Sequence, residues 1–387
     1  MKIVYTDNNA TTRVAPEVLE EMLPYFSELY GNPSSMHSFG GNVGREITRA
    51  RERVAALINA APDEIIFTSC GTESDNAAIH AALAANPEKR HIITSGVEHP
   101  AIKNPLEDLE KKGYRVTFVP VDDKGRLDMA LLYESMTDDT ALVSLMWANN
   151  ETGVIFPIKE IAQRAAEKGI LFHTDAVQAV GKVPIDVKDA PVDMLSLSGH
   201  KIHAPKGVAA LYVKKGLKFS SFLNGGHQEN GRRGGTENTA SIIGLGRACE
   251  LATEHLTEMD TRVRALRDFL ETRLVELIPA ATVNGDKGNR LPNTLNIGFT
   301  AVEGESILLL MDQAGICASS GSACTSGSLD PSHVLMAMEV PLESVHGTIR
   351  FSLSCDNTQA DMDHIVTTLP PVIQRLRDMS PFWKQEE

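Results

Sequence analysis

Two stretches, ILFHTDAVQAVGK (170–182) and DMLSLSGHKIHAPKG (193–207), decide the fold. Each opens with a short apolar run that lacks polar alternation, then breaks abruptly into Asp175 and Gln178, or into Gly199, His200 and Lys201. A run that is apolar at successive positions suits a strand covered on both faces, as strands of parallel sheets are. Similar runs lie outward on either side: EIIFTS (64–69), HIITS (91–95), RVTFV (115–119), ALVSLMW (141–147) and VAALYV (208–213). Helical patterns such as SDNAAIHAALAA and IKEIAQRAAEKG separate them. Strand-helix alternation of this kind predicts an α/β fold with a mostly parallel seven-stranded sheet and helices on both faces. Ligands of such sheets bind beyond the carboxyl ends of the strands, so the residues that close each strand are the first candidates for chemistry.

After residue 214 the pattern changes. A Gly-rich loop, LNGGHQENGRRGGTEN (223–238), leads into a long helical stretch over about 240–277, then into strand-like TLNIGF (294–299) and TIRFSLS (348–354) with helix-like ESILLLMDQAG between them. This predicts a smaller α+β domain. The expected division is 15–257 for the large domain, with 1–14 and 258–387 forming the small one. No internal repeat or low-complexity segment interrupts either.

The chain has 387 residues, 42% of them apolar, enough for a large core, and a formal net charge of -14. An acidic surface argues against nucleic acid or an anionic membrane as the main partner. The five cysteines, Cys70, Cys249, Cys317, Cys324 and Cys355, are odd in number and have no CxxC spacing, against a disulfide framework or a structural zinc site. The start, MKIVYTDNNATT, lacks an apolar signal core, and no run approaches the ~20 apolar residues of a membrane helix. A cytoplasmic, reducing location is the default expectation.

Five strands deliver polar residues toward one sheet edge. Cys70-Gly71-Thr72-Glu73-Ser74 opens a helix whose free N–H groups suit a phosphate, although a simple cap fits the same residues. A lone loop lysine says little, but Lys201 lies one strand-to-strand step from Asp175. A lysine that links covalently to an aldehyde cofactor needs such a neighbour, because a carboxylate pairs with a pyridinium nitrogen and keeps the ring an electron sink. Cys324 sits in SSGSACTSGS, a small-residue stretch without periodicity. That context suits an accessible nucleophile, whereas a buried, inert thiol is the expectation for Cys70, Cys249 and Cys317. The spacing of His200 and His203, with His173 nearby, is too weak a pattern to carry a metal site.

The motifs TDNNATT (6–12), YGNPSSMHSFG (30–40), FTSCGTESDN (67–76), VEHPA (97–101), WANNETG (147–153), HTDAVQAVGK (173–182), SLSGHKIHAPKG (196–207), RRGGTEN (232–238) and SSGSACTSGSLDPSH (319–333) span nearly the whole chain. Together they resemble the class V aminotransferase family of fold-type I pyridoxal-phosphate enzymes, and within it the cysteine desulfurases of the NifS/IscS group, the nitrogen-fixation type most of all. The resemblance implies pyridoxal 5'-phosphate as cofactor, held by Lys201, which later moves the α-proton. It implies that His99 stacks on the ring and assists proton transfer, that Asp175 pairs with the ring nitrogen, and that Gln178 and Asn150 bond the cofactor's ring oxygen and the substrate side. Gly71, Thr72, Ser198 and His200 should bind the phosphate, with Thr236 reaching the phosphate of the other subunit of a homodimer. Arg350 should grip the carboxylate of L-cysteine, and Asn8 should line the substrate pocket. Cys324 should take the sulfur as a persulfide, release L-alanine as the other product, and pass the sulfur to an iron–sulfur scaffold protein of the NifU/IscU kind, nitrogenase-related by the same resemblance. No stable metal is implied, only a transient iron–sulfur ligand role for Cys324. A selenocysteine lyase, another class V aminotransferase or a non-catalytic scaffold with this fold are the rival readings.

Overall fold

A computed structural model describes residues 3–320 and 331–383. The seven expected strands form one sheet: β1 (Ile65–Thr68), β2 (His91–Ser95), β3 (Arg115–Val119), β4 (Thr140–Met146), β5 (Leu171–Asp175), β6 (Met194–Ser198) and β7 (Ala209–Val213). Their order is β1-β7-β6-β5-β4-β2-β3. Only β7 runs against its neighbours, pairing antiparallel with both β1 and β6. The remaining pairings are parallel.

The sheet is covered on both sides, which explains the unbroken apolar runs. Side chains of a strand alternate between faces. Ile66, Leu142, Met194 and Leu211 pack on one face, beneath α2 (Gly71–Ala85) and α3 (Pro100–Lys111). Their neighbours Phe67, Val143, Leu195 and Tyr212 point to the other face, beneath α1 (Ser38–Leu57), α4 (Ile158–Glu167) and α5 (Thr239–Glu258).

A second apolar core lies around α6 (Arg264–Leu277), α7 (Gly304–Gln313) and α8 (Gln359–Met379). These pack with a four-stranded antiparallel sheet of β8 (Ala281–Val283), β9 (Thr294–Phe299), β10 (Ser319–Ser320) and β11 (Thr348–Ser352), in the order β10-β11-β9-β8. The long helical stretch read from sequence is α5 and α6 joined by a π-helical turn at Met259–Val263. The N-terminal segment crosses between the sheets. Val4–Tyr5 pairs in parallel with Ile316–Cys317, and Asn8 N donates to Ser352 O at 3.1 Å. No helix among the described residues is long and apolar enough to cross a membrane.

Helices α1 and α5 meet at Gly246, where a Cβ would stand 2.6 Å from Ala50 Cα. A Gly246→Val substitution should therefore destabilise the protein by about 1–3 kcal/mol, the usual cost of overpacking. The measurement is the urea unfolding midpoint, and an unchanged midpoint would show that the two helices have room to separate.

Candidate active site

Strand geometry brings the polar residues together. Asp175 closes β5, and Ser198 closes β6 before a single helical turn, Gly199–Lys201. Helix α2 begins at Gly71, just beyond β1. Helix α3 begins beyond β2, capped by His99, whose Nδ1 accepts from Ala101 N at 3.1 Å. The loop after β4 carries Asn150 and Glu151. From the second sheet, β11 contributes Arg350. Lys201, His99, Asp175, Gln178, Asn150, Gly71, Thr72, Ser198, His200 and Arg350 all line one cavity of about 290 Å³. A Cβ on Gly71 would meet Val177 Cγ2 at 3.0 Å, so glycine lets the start of α2 approach the loop after Asp175.

Hydrogen bonds fix these side chains in place. Lys201 Nζ donates to the carbonyls of Asn9 and Ala10, at 2.5 and 2.8 Å. Gln178 Nε2 donates to Asn9 O at 2.9 Å, and its Oε1 accepts from Lys182 Nζ at 2.7 Å. Arg350 donates from Nη1 to Asn150 O and from Nη2 to Asp7 Oδ1, both at 2.9 Å. Its Nε is buried without a hydrogen-bond partner, as is Ser198 Oγ.

Burial sets the protonation states. The Asp175 carboxyl is raised to about 6 by burial, against the opposing pull of the Val177 N–H and the Lys201 charge. Asp75, fully buried beside it, is held well above the usual carboxylate range by burial and by the Asp175 charge. His99 is pushed down to about 4 by burial and by Lys201 and His333, and His200 to about 4 by burial and by Lys201, Lys206 and Lys182. Both rings are therefore neutral at physiological pH. Burial, with Lys201 and Arg350 nearby, also lowers the Lys182 ammonium well below its ordinary value.

The structure separates some of the expected residues from this cavity. Asn8 turns away, donating from Nδ2 to Ser352 O at 2.9 Å, and it is the adjacent Asn9 that lines the cavity. Thr236 is exposed and lines a separate cavity of about 160 Å³ beside Thr68 and Ser69. Cys324 lies outside the described residues. One thiol differs from expectation. Cys70 is exposed on the cavity wall, because it caps α2 at a strand end instead of lying within the apolar run. Cys249 is buried as expected, and Cys317 is half-buried. Of the three histidines with metal-like spacing, His173 bonds Ser144 and Ser196, His200 bonds Thr11, and His203 bonds the Arg13 carbonyl.

Sequence reasoning missed Asn9, Lys182, Asp75, Glu98 and Glu151. Lys182 had a usable signal, its i,i+4 spacing from Gln178. The buried acids had none, since an acid inside a helix or loop reads as solvated.

Residues 4–365 match the family described as Aminotransferase class-V. The chain belongs to that family. It is 57% identical over 386 residues to a cysteine desulfurase of Trichormus azollae, covering 100% of this chain and 96% of the relative. It is 56% identical over 384 residues to the cysteine desulfurase NifS of Azotobacter vinelandii, covering 99% and 96%. A solved structure described as a NifS-like protein superposes with a TM-score of 0.91 at 38% identity, covering 97% of this chain and all of that one.

Enzymes of this kind depend on pyridoxal phosphate, and the cavity fits it. The N–H groups opening α2 and the unpartnered Ser198 hydroxyl converge where a phosphate would find donors. Asp175 offers a buried carboxylate for a ring N–H, and Lys201 lies on the same wall. Replacing Ser198 by Ala removes one hydrogen bond to a charged group, worth about 1.5–3 kcal/mol. Cofactor affinity should fall roughly tenfold to a hundredfold, read by absorbance titration of the cofactor-free protein. Unchanged affinity would place the phosphate elsewhere.

The Glu98 carboxyl gives a second prediction. Its Oε1 accepts from Ser95 Oγ at 2.7 Å and Met146 N at 3.0 Å, and burial raises it to about 8. The folded-state value lies above the unfolded one, so the proton is held more tightly in the folded protein. Stability from this group is full below the unfolded value and is lost as pH rises toward 8, at up to about 1.4 kcal/mol per pH unit. Glu98→Gln should flatten that fall in urea midpoints measured between pH 5 and 8. Parallel curves for parent and variant would show that Glu98 does not carry it.

Proposed function

We propose that this chain is a pyridoxal-phosphate-dependent cysteine desulfurase in which Lys201 holds the cofactor, Arg350 holds the carboxylate of L-cysteine, and Cys324 accepts the sulfur. The observation that supports it most is the convergence of Lys201, Asp175, Ser198 and the start of α2 on one cavity that Arg350 enters from the other sheet. When bound, the cofactor supplies an electron sink that makes the α-proton of the amino acid removable.

The chain's own residues do the rest. Lys201, once freed from its covalent role, is the base that takes the α-proton and returns it during turnover. The low pKa of His99 keeps its ring a neutral, flat stacking surface and a proton acceptor at working pH. Asp175 in its anionic form would hold a ring N–H of the bound cofactor. Buried surroundings strengthen that pair, because the charges are poorly screened there. Arg350 already uses Nη1 and Nη2, so its partnerless Nε, or the Nη2 now on Asp7, turns to the substrate carboxylate.

The sulfur step balances as a displacement on sulfur. The Cys324 thiolate attacks the substrate's sulfur, an S–S bond forms, and the Cβ–S bond breaks with its electron pair staying on carbon. Protonation at that carbon gives L-alanine, and the protein keeps a persulfide. The same reading includes a homodimer in which the exposed Thr236 reaches the other subunit's phosphate, and an iron–sulfur scaffold protein as acceptor, nitrogenase-related by kinship to NifS. It also includes the division of the chain into 15–257 and the flanking remainder.

The test compares alanine and sulfide release from L-cysteine by the parent and by Cys324→Ala, in the presence of a thiol reductant. The parent should release both in equal amounts. The variant should retain the cofactor's colour and release neither. A fully active variant would remove Cys324 from the mechanism and favour a lyase that needs no protein thiol.

A further inference from the structure

A second cavity, of about 370 Å³, lies behind Lys201, which lines both cavities, and its far wall is built of residues the desulfurase reaction does not use. Among the described residues, three donors of different chemistry converge on its wall: His255 and Glu258 from the last turn of α5, and Cys355 from the turn that follows β11. Their donor atoms all lie within 4.8 Å of one another, and His255 Nδ1 stands 2.8 Å from Glu258 Oε2. A fourth soft atom is adjacent, since Cys355 Sγ is 3.6 Å from Sδ of the buried Met259.

The frame that carries these donors is pinned. Arg262 holds the other Glu258 oxygen through Nε at 2.7 Å, and donates to Asn357 O at 2.7 Å and Cys355 O at 2.6 Å. One arginine thus fixes the carboxylate and the thiol-bearing turn relative to each other, leaving Oε2, Nδ1 and Sγ facing a common point. Ligands of one tetrahedral zinc lie roughly 3–4 Å apart, given Zn–S near 2.3 Å and Zn–N near 2.0 Å. The observed spread therefore needs a closure of about an ångström, within reach of side-chain rotation.

We propose that His255, Glu258 and Cys355 form a zinc site on this second cavity, separate from the cofactor cavity. Thiolate, imidazole and carboxylate together suit zinc better than magnesium or calcium, which take oxygen ligands. The fourth position faces the cavity and is open to water or to Met259. Binding breaks the Cys355 S–H bond, forms a Zn–S bond and releases one proton to solvent. The ion clasps the end of α5 to the turn after β11, the strand that carries Arg350, so it braces the second sheet against the helix layer.

The experiment uses the holoenzyme, stripped with a chelator, incubated with zinc chloride alone and passed through a desalting column before metal and cofactor are measured per chain. The parent and Cys324→Ala should each retain about one equivalent of zinc. Cys355→Ser and His255→Gln should each lose it while keeping the cofactor's absorbance, which reports that they are folded. Zinc should raise the melting temperature of the parent and leave that of His255→Gln unmoved. The proposal is overturned if the parent retains no zinc, if Cys355→Ser retains as much as the parent, or if the zinc disappears with Cys324→Ala instead. Should Cys355→Ser lose its cofactor, His255→Gln decides by the same readings, and retention of zinc by it overturns the site.

Discussion

A sheet buried on both faces can meet solvent and ligand only at the ends of its strands, and the remainder of the molecule is arranged around that constraint. The runs that make β4, β5 and β6 are buried along nearly their whole length. Polar residues placed at their carboxyl ends are therefore half in the core. Desolvation acts on them, and on the acids and histidines packed around the same sheet edge, raising Asp75, Glu98, Glu151 and Asp175 and lowering His99, His173 and His200. The reactive groups are tuned by where the strands stop more than by individual charged partners, since burial is the leading cause at each.

The N-terminal segment converts these strand ends into a closed wall. Asn9 is its hub. The carbonyl accepts from Lys201 and Gln178, the side-chain oxygen accepts from Lys182 and Asn293, and the side-chain nitrogen donates to Thr294. Thr294 begins β9, so a single asparagine joins the lysine of the large sheet to the frame of the small one. Arg350 makes the reciprocal link, from β11 to Asn150 and Asp7. Residues contributed by both sheets thus share one hydrogen-bond network, in which a shift of either sheet would be felt at Lys201.

The fold was legible because its signal is repetitive. All seven strands appear within a residue or two of where the apolar runs placed them, and TLNIGF coincides with β9. Periodicity also indicated that Asp175 and Lys201 would share an edge, since parallel strands put their ends together. Asn9 was missed because its bonds to Lys201 and Gln178 run through a backbone carbonyl, which any residue supplies, and its side-chain bonds reach partners far away in the sequence. Asp75 was missed because an acid one turn into α2 looks like a favourable N-terminal charge, whereas in the structure it lies at 1% exposure against Asp175 and His173. The exposure of Cys70 was misjudged for a related reason. Local composition suggested packing, but the residue sits two residues past the end of β1, where the chain turns outward to start α2.

Charge balance explains why such a wall of buried acids and cations is tolerated. Lys182, Lys201 and Arg350 approach one another closely enough that their charges depress Lys182, and Asp75 and Asp175 oppose one another in the same way. Each cluster alone is frustrated. On the proposed reading, an anionic phosphate at α2 and a substrate carboxylate at Arg350 would answer the cations, while a cationic ring nitrogen would answer Asp175. Ligands so placed would complete the electrostatic arrangement, and their binding would stabilise the folded state by mass action. Because the donors are held by backbone and by Asn9 before any ligand arrives, little reorganisation is left for the reaction itself.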